Sequence, residues 1–220
     1  NFREEFLAAS MTLDMSNTDK LAMFAAEARR SGIEVRPPCV NVSGVEFGAE
    51  PPKGGAKHGH IRYALAALKN VGASAIESIV AERETNGLFK DLSDFARRFD
   101  PKAMNKRGLE TLAMAGAFEA LEKNRALVHG NVENIIALAQ RIGADKAAGT
   151  SDLFGRAEPA RMDMRPVKMW TPMERLQHEF QAVGFYLSGH PLDEYAAVLP
   201  KLGVQRYVDF EAKAGLSVTA

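Results

Sequence analysis

The chain has 220 residues, with 28 Lys or Arg and 28 Asp or Glu, so its formal net charge is zero. Hydrophobic residues make up 46% and charged residues 25%, which excludes a disordered tail, a collagen-like chain and a histone-like basic protein. A single cysteine, Cys39, excludes an internal disulfide framework and a multi-cysteine zinc site, and it favours a reducing, cytoplasmic location. No apolar run approaches the ~18 residues that cross a bilayer, so no membrane partner is expected.

The residue pattern predicts a mainly α fold with a small β-ribbon. An early helix begins after a cap at Asn17 or Thr18 and ends before Gly32. Alternating residues predict a short strand over 33–35 and a hairpin of 45–47 with 60–63, joined by a long loop. Thr171 and Glu174 form a predicted capping box for a helix that begins at Pro172. Further helices are predicted over residues 64–69, 74–84, 93–99, 105–114, 118–121, 123–142 and 193–199.

The most specific feature is residues 68–79, which resemble a helix-hairpin-helix motif centred on Gly72. A glycine lets the backbone approach a phosphate closely, and the free amides that begin the second helix are a ready anion site. The alternative is an ordinary corner between two helices, in which Gly72 is only a cap. The predicted DNA contacts in this turn are Lys69, Asn70, Val71, Gly72, Ala73 and Ser74.

A second segment repeats the helix–break–helix shape, with Lys106 and Arg107 before a break at Gly116. Residues 53–107 hold eleven Lys or Arg and six Asp or Glu, a balance of +5, whereas residues 1–50 have a balance of −3. This asymmetry predicts that the middle of the chain faces an anion, with Lys106, Arg107 and Gly116 as further DNA-binding residues. The alternative is a solvated helical surface.

A third segment places an apolar pair in a polar loop: Thr150, Ser151, Asp152, Leu153 and Phe154. The pair either packs back onto its own domain or inserts into a pocket on a partner. The sequence contains no phosphate-binding loop, no nucleophile elbow, no paired carboxylates for two metal ions and no metal-ligand spacing among its histidines. We therefore predict no catalytic and no metal-binding residue within this chain.

Four collinear blocks resemble the bacterial DNA polymerase III alpha-subunit family, the replicative C-family DNA polymerases. They are residues 5–9 with 32–43, residues 61–72, residues 105–107 with 115–118, and residues 183–192. Both ends of the chain also suggest a fragment of a longer protein. The resemblance implies that residues 1–55 are the C-terminal part of the fingers, 56–145 a tandem helix-hairpin-helix DNA-binding region, 146–170 a mobile loop with a clamp-binding motif, 171–207 a helical connector and 208–220 the first strand of a truncated OB-fold.

The resemblance also implies a function. The full-length parent would be a DNA-directed DNA polymerase, a nucleotidyltransferase that uses Mg²⁺ in chromosome replication. This fragment would need no cofactor, would be inactive alone, would hold primer–template duplex non-specifically and would dock the sliding clamp (beta) beside other replicase holoenzyme subunits. Leu153 and Phe154 match the family's clamp motif, whereas Thr150 stands where Gln is usual. The alternatives are an error-prone paralogue of the same family and a non-catalytic adaptor in which the hairpins are purely structural.

Overall fold

A computed structural model describes residues 2–52, 54–55, 57–147, 162–196 and 198–204. The described residues confirm the mainly α fold with a small sheet. Those up to Ser188 form one compact unit, and those from Gly189 belong to a second. The predicted clamp motif at 150–154 and the predicted OB-fold strand at 208–220 lie outside the described residues, and the finer domain divisions stay predictions.

The first unit contains eight described helices and three strands: α1 (Arg3–Leu13), α2 (Thr18–Arg30), β1 (Glu34–Arg36), β2 (Gly48–Glu50), β3 (His60–Arg62), α3 (Ala73–Asn86), α4 (Leu92–Arg98), α5 (Lys106–Met114), α6 (Arg125–Gly130), α7 (Val132–Ala147) and α8 (Pro172–Val183). The described residues of the second unit contain two short 3-10 helices, Pro191–Tyr195 and Leu199–Leu202. The predicted caps are confirmed. The Asn17 side chain accepts a hydrogen bond from the Lys20 amide, and Thr171 and Glu174 form the capping box of α8.

The strands form one sheet in the order β1-β3-β2. Ile61 of β3 lies opposite Val35 of the parallel β1 and opposite Ala49 of the antiparallel β2. The predicted hairpin is therefore present, but its first strand follows residues 45–47 instead of including them. Glu50 at the end of β2 forms ion pairs with arginines of both other strands, which stabilises this register.

Three of the predicted helices are wrong, and hydrogen bonds to distant segments explain two of them. Residues 118–121, the third, form turns with local backbone hydrogen bonds. Residues 64–69 form turns, and the Lys69 amide donates to the Ala182 carbonyl of α8 at 3.1 Å instead of to its own helix. The predicted helix 123–142 divides at Asn131 into α6 and α7. The Asn131 side chain exchanges two hydrogen bonds with the backbone of Arg165, at 2.7 and 2.9 Å, and so binds the returning chain at this break.

The buried core is continuous beneath both predicted hairpins. Phe95 lies at its centre, with the rings of Phe89, Phe99 and Phe118 at centroid distances of 5.1, 5.4 and 5.0 Å. Ile76 of α3 and Leu109 of α5 are fully buried in the same cluster. The exposed ends of α3 and α5 are therefore carried by a common packed support.

Candidate nucleic-acid interface

The first turn is made by Asn70, not by Gly72. Asn70 has φ +61°, in the left-handed region that asparagine tolerates better than most residues. Gly72 has φ −80° and ψ 138°, an ordinary extended conformation, and it is the N-cap of α3. A Cβ placed on Gly72 would have no atom within 4 Å. The fold itself therefore does not require a glycine here, and the space above the turn is open.

The N-terminus of α3 presents free backbone donors to solvent. No side chain caps the helix, and its first turn contains no acidic residue. Gly72, Ala73 and Ser74 are exposed. The first amides of a helix have no intrahelical acceptor and carry the positive end of the helix dipole. This end of α3 can therefore donate hydrogen bonds to the oxygens of an anion such as phosphate.

Lys69 is held in place by α8. Its backbone amide donates to Ala182, and its ammonium lies against Gly184, where an added Cβ would be 3.1 Å from Nζ. Gly184 is the left-handed C-cap of α8, so Lys69 lies at the negative end of a helix dipole. The side chain is nevertheless exposed, which places a cation beside the start of α3.

The second predicted segment reaches the same turn. The Asn105 side chain caps α5 by accepting a hydrogen bond from the Gly108 amide at 2.9 Å, and Lys106 and Arg107 are the first two helical residues. A Cβ placed on Gly108 would lie 3.3 Å from the carbonyl oxygen of Asn70. The structure therefore brings the start of α5 against the first turn, although 35 or more residues separate them in sequence.

The two cations of α5 differ in how available their charges are. Lys106 Nζ lies 2.7 Å from Glu133 Oε1 and 3.7 Å from Glu110 Oε1. The Glu133 carboxylate raises the pKa of Lys106, and the ammonium lowers the pKa of Glu133. Arg107 is exposed, and in the described parts of the chain no carboxylate comes within 4.0 Å of its guanidinium. Arg107 is thus the freer of the two cations.

Gly116, the remaining predicted DNA-binding residue, lies inside the fold. It is buried with φ +83°, and a Cβ placed on it would lie 2.6 Å from Nε of Arg125. The helix–break–helix shape is present between α5 and α6, but its glycine lies beneath a guanidinium instead of at the surface. The proposed interface therefore does not include Gly116.

A buried charge network that was not predicted from the sequence lies behind the second turn. The side chains of Arg125 and Glu179 are 3% and 0% exposed, and Arg125 Nη1 donates to Glu179 Oε2 at 3.3 Å. The other carboxylate oxygen, Oε1, accepts hydrogen bonds from the amides of Leu187 and Ser188 at 2.9 and 2.7 Å. One signal could have identified this network: Glu179 falls on the apolar face of α8, three residues before the buried Ala182.

Several basic residues of the middle segment are occupied by structural contacts, so its count of eleven Lys or Arg overstates the number of basic side chains available to a ligand. Arg62 pairs with Glu50 at 2.7 Å, and Arg83 donates to the Val40 carbonyl at 2.8 Å. Arg98 pairs with an acidic residue of α3 at 2.8 Å and lies over an aromatic ring. The positive surface is therefore narrower than the sequence suggests and centres on Lys69, Lys106 and Arg107.

The histidines nearest this surface belong to an aromatic cluster. Trp170 stacks on His178 with a centroid distance of 3.9 Å, and His129 lies 5.8 Å from His178. Burial lowers the pKa of both histidines. Across the described residues, no group of three or more His, Cys, Asp or Glu is arranged to hold a metal ion. No helix in that part of the chain is long and apolar enough to span a membrane.

Comparison with protein families identifies the motif. A family model described as a helix-hairpin-helix motif matches residues 32–128. The match includes the Asn70 turn, the starts of α3 and α5, and the Gly116 turn. It ends before α7 and α8.

Curated relatives cover almost all of the chain. It is 46% identical over 196 residues to the DNA polymerase III subunit alpha of Caulobacter vibrioides (strain NA1000 / CB15N), which is 89% of this chain and 16% of that protein. The same subunit of Neisseria meningitidis serogroup A is 38% identical over 212 residues, 94% of this chain and 18% of the relative. The Vibrio cholerae subunit is 36% identical over 205 residues, which is 91% of this chain and 17% of that protein. The chain thus spans less than a fifth of the length of these relatives.

Proposed function

Because the chain belongs to the DNA polymerase III alpha-subunit family, we propose that its first unit holds duplex DNA without reading its sequence. The observation that carries this proposal is the meeting of two exposed helix N-termini, those of α3 and α5, at the Asn70 turn. Both helix starts lack acidic residues in their first turns. Groups of this kind recognise the phosphate backbone, which has the same charge and shape at every base pair.

Each part of the surface has a distinct role in the proposal. The amides of Ala73 and Ser74 donate to phosphate oxygens, and the missing side chain of Gly72 lets the DNA backbone approach. Lys69 and Arg107 supply free positive charge beside these donors, and Lys106 contributes once it exchanges Glu133 for a phosphate. Each phosphate neutralised releases counterions, so affinity should fall steeply as salt concentration rises.

The activity of the complete polypeptide is a further part of the proposal. We propose that it catalyses DNA-directed DNA synthesis with Mg²⁺, together with the other subunits of a replicase. The catalytic carboxylates would lie in parts of the polypeptide outside this chain. The expected outcome is primer extension by the full-length polymerase and none by the 220-residue chain.

We also propose that residues Thr150 to Phe154 dock the sliding clamp. The support is the sequence pattern alone, in which Leu153 and Phe154 supply the apolar pair that fills a partner pocket. The test is duplex binding by the chain with and without the clamp. A gain from the clamp that disappears in Leu153→Ala/Phe154→Ala supports docking, and the absence of any gain contradicts it for this chain.

The experiment that tests duplex holding uses Gly72→Glu. Gly72 is exposed and an added Cβ would meet no atom within 4 Å, so the fold should survive, but a carboxylate would then face the phosphates. We expect binding to a fluorescent primer–template duplex at low salt to weaken at least about tenfold, because like charges meet at the contact. Titrations across a salt series measure the change.

Gly143→Glu is the matched control. Gly143 is exposed on α7 with no atom within 4 Å of an added Cβ, and it lies ten residues, or about 15 Å, along the helix from Glu133. It introduces the same charge away from the proposed surface and should change duplex affinity little. Equal affinities for the two variants at low salt would overturn the proposed function.

A further inference from the structure

We propose that helix α8 positions the duplex-binding cations, and that it does so through the buried carboxylate of Glu179. The inference rests on the proposed function of the Asn70 turn. Helix α8 lies outside residues 32–128, the segment that matches the helix-hairpin-helix model. The contacts of α8 nevertheless reach both halves of the proposed surface, and they give this helix a role beyond that of a connector.

The first contact concerns Lys69. Its amide bonds to Ala182 and its ammonium lies against Gly184, so its position depends on the C-terminal end of α8. That end is fixed by Glu179, whose carboxylate accepts hydrogen bonds from the backbone amides of Leu187 and Ser188. These bonds hold the chain that follows Gly184 against the helix. A carboxylate that accepts two backbone amides fixes their direction because few other acceptors are available in a buried site.

The second contact concerns α5. Glu179 also accepts a hydrogen bond from the guanidinium of Arg125. The same guanidinium donates a hydrogen bond at 3.2 Å to the carbonyl of Met114, the last residue of α5. Arg125 fills the space left by the missing side chain of Gly116. One carboxylate therefore connects the support of Lys69 to the helix that begins with Lys106 and Arg107. With 0% of its side chain exposed, Glu179 cannot contact DNA, so it acts as a positioning residue.

The test substitution is Glu179→Gln, which retains the shape of the side chain and removes its charge. We expect duplex affinity at low salt to fall about tenfold, and the slope of log affinity against log salt to decrease by about 1, the loss of one phosphate contact. We also expect Lys69→Ala to weaken binding much less in the Glu179→Gln background than in the wild type, because residues that act through one another are not additive.

The control separates positioning from general loss of stability. Met11→Ala removes a fully buried side chain of α1 and should destabilise the unit, and α1 packs mainly against α2, β2 and β3. All variants are compared at a temperature at which circular dichroism shows them folded. Met11→Ala should retain the wild-type duplex affinity and salt slope, whereas both quantities should decrease in Glu179→Gln.

A second variant tests the same idea without altering the core. Arg29 is exposed on α2, and its guanidinium donates to the carbonyls of Tyr186 and Leu187. Arg29→Gln should reduce affinity in the same direction as Glu179→Gln but by less. A wild-type chain that does not bind duplex would overturn the proposed function. Wild-type binding that is unchanged in both Glu179→Gln and Arg29→Gln would overturn the positioning role alone.

Discussion

The two turns of the helix-hairpin-helix region have similar sequence patterns and opposite environments. At the first turn, Gly72 is exposed, has an ordinary φ of −80° and is surrounded by open space. At the second turn, Gly116 is buried, has φ +83° and lies against Arg125. A glycine between two helices can therefore either admit a ligand or make room for a neighbouring side chain. The sequence pattern does not distinguish these two cases.

The difference also bears on where DNA contact is expected. The first turn obtains its left-handed residue from Asn70, so neither conformation nor packing explains why Gly72 lacks a side chain, although glycine is preferred over alanine at an N-cap. Close approach of a partner would explain it. At the second turn, the conformation and the packing of Gly116 both account for the glycine, and no ligand is needed to explain it. The first turn is therefore the better candidate for phosphate contact.

Gly116→Ala should change the protein more than any other substitution, by lowering its stability. The substitution forces an L-residue into the left-handed region and places a methyl group against a buried guanidinium. We expect the free energy of unfolding to fall by about 2–5 kcal/mol, from backbone strain and overpacking together. Urea unfolding followed by circular dichroism measures this change. A loss below about 0.5 kcal/mol would mean that Arg125 moves aside without cost, and the contrast between the two turns would fail.

Gly72→Ala should weaken duplex binding and leave the stability of the fold almost unchanged. Alanine fits the backbone conformation, and its lower unfolded-state entropy offsets its weaker N-capping, so the free energy of unfolding should change by less than about 1 kcal/mol. Duplex affinity should nevertheless fall about three- to tenfold, because the new methyl group occupies the space through which a phosphate would reach the amides of α3. Fluorescence anisotropy at low salt measures the affinity. Unchanged binding would show that the open space is not used.

The sequence alone predicted the fold class, most helices and the caps at Asn17 and Thr171, because these depend on residues close together in the chain. The helices predicted over residues 64–69 and 123–142 are wrong because distant segments of the chain supply the hydrogen-bond partners there. Residues 64–69 are not helical since Lys69 bonds to α8, and the predicted long helix divides since Asn131 bonds to Arg165. Such contacts have no local sequence signal.

The candidate site shows the same division. The residues of the Asn70 turn and of the start of α5 could be proposed from local pattern and charge. The contact between these two segments at Asn70 could not be predicted from the sequence, because it depends on how α5 packs. The pairing of Arg125 with Glu179 also joins residues 54 positions apart. The local count of basic residues was a poor guide to free charge, because Arg62 and Arg98 are paired within the fold.

A smaller change in duplex affinity should distinguish the two cations at the start of α5. Lys106 is paired with Glu133, so a phosphate must displace that carboxylate before Lys106 can contribute to binding. Glu133→Gln removes the competitor and lessens the repulsion of DNA, so we expect a gain in duplex affinity of about two- to threefold at low salt. The gain should decline as salt screens both interactions.

Two further variants test whether that gain comes from Lys106. Glu5→Gln removes the same charge from an exposed position on α1. Any general effect of net charge on duplex affinity is common to both variants, so Glu5→Gln should raise the affinity less than Glu133→Gln, which also frees Lys106. Adding Lys106→Ala to Glu133→Gln should abolish the additional gain. A gain that persists without Lys106 would assign the effect to the weaker repulsion alone, and it would leave Arg107 as the residue through which α5 supplements the Asn70 turn.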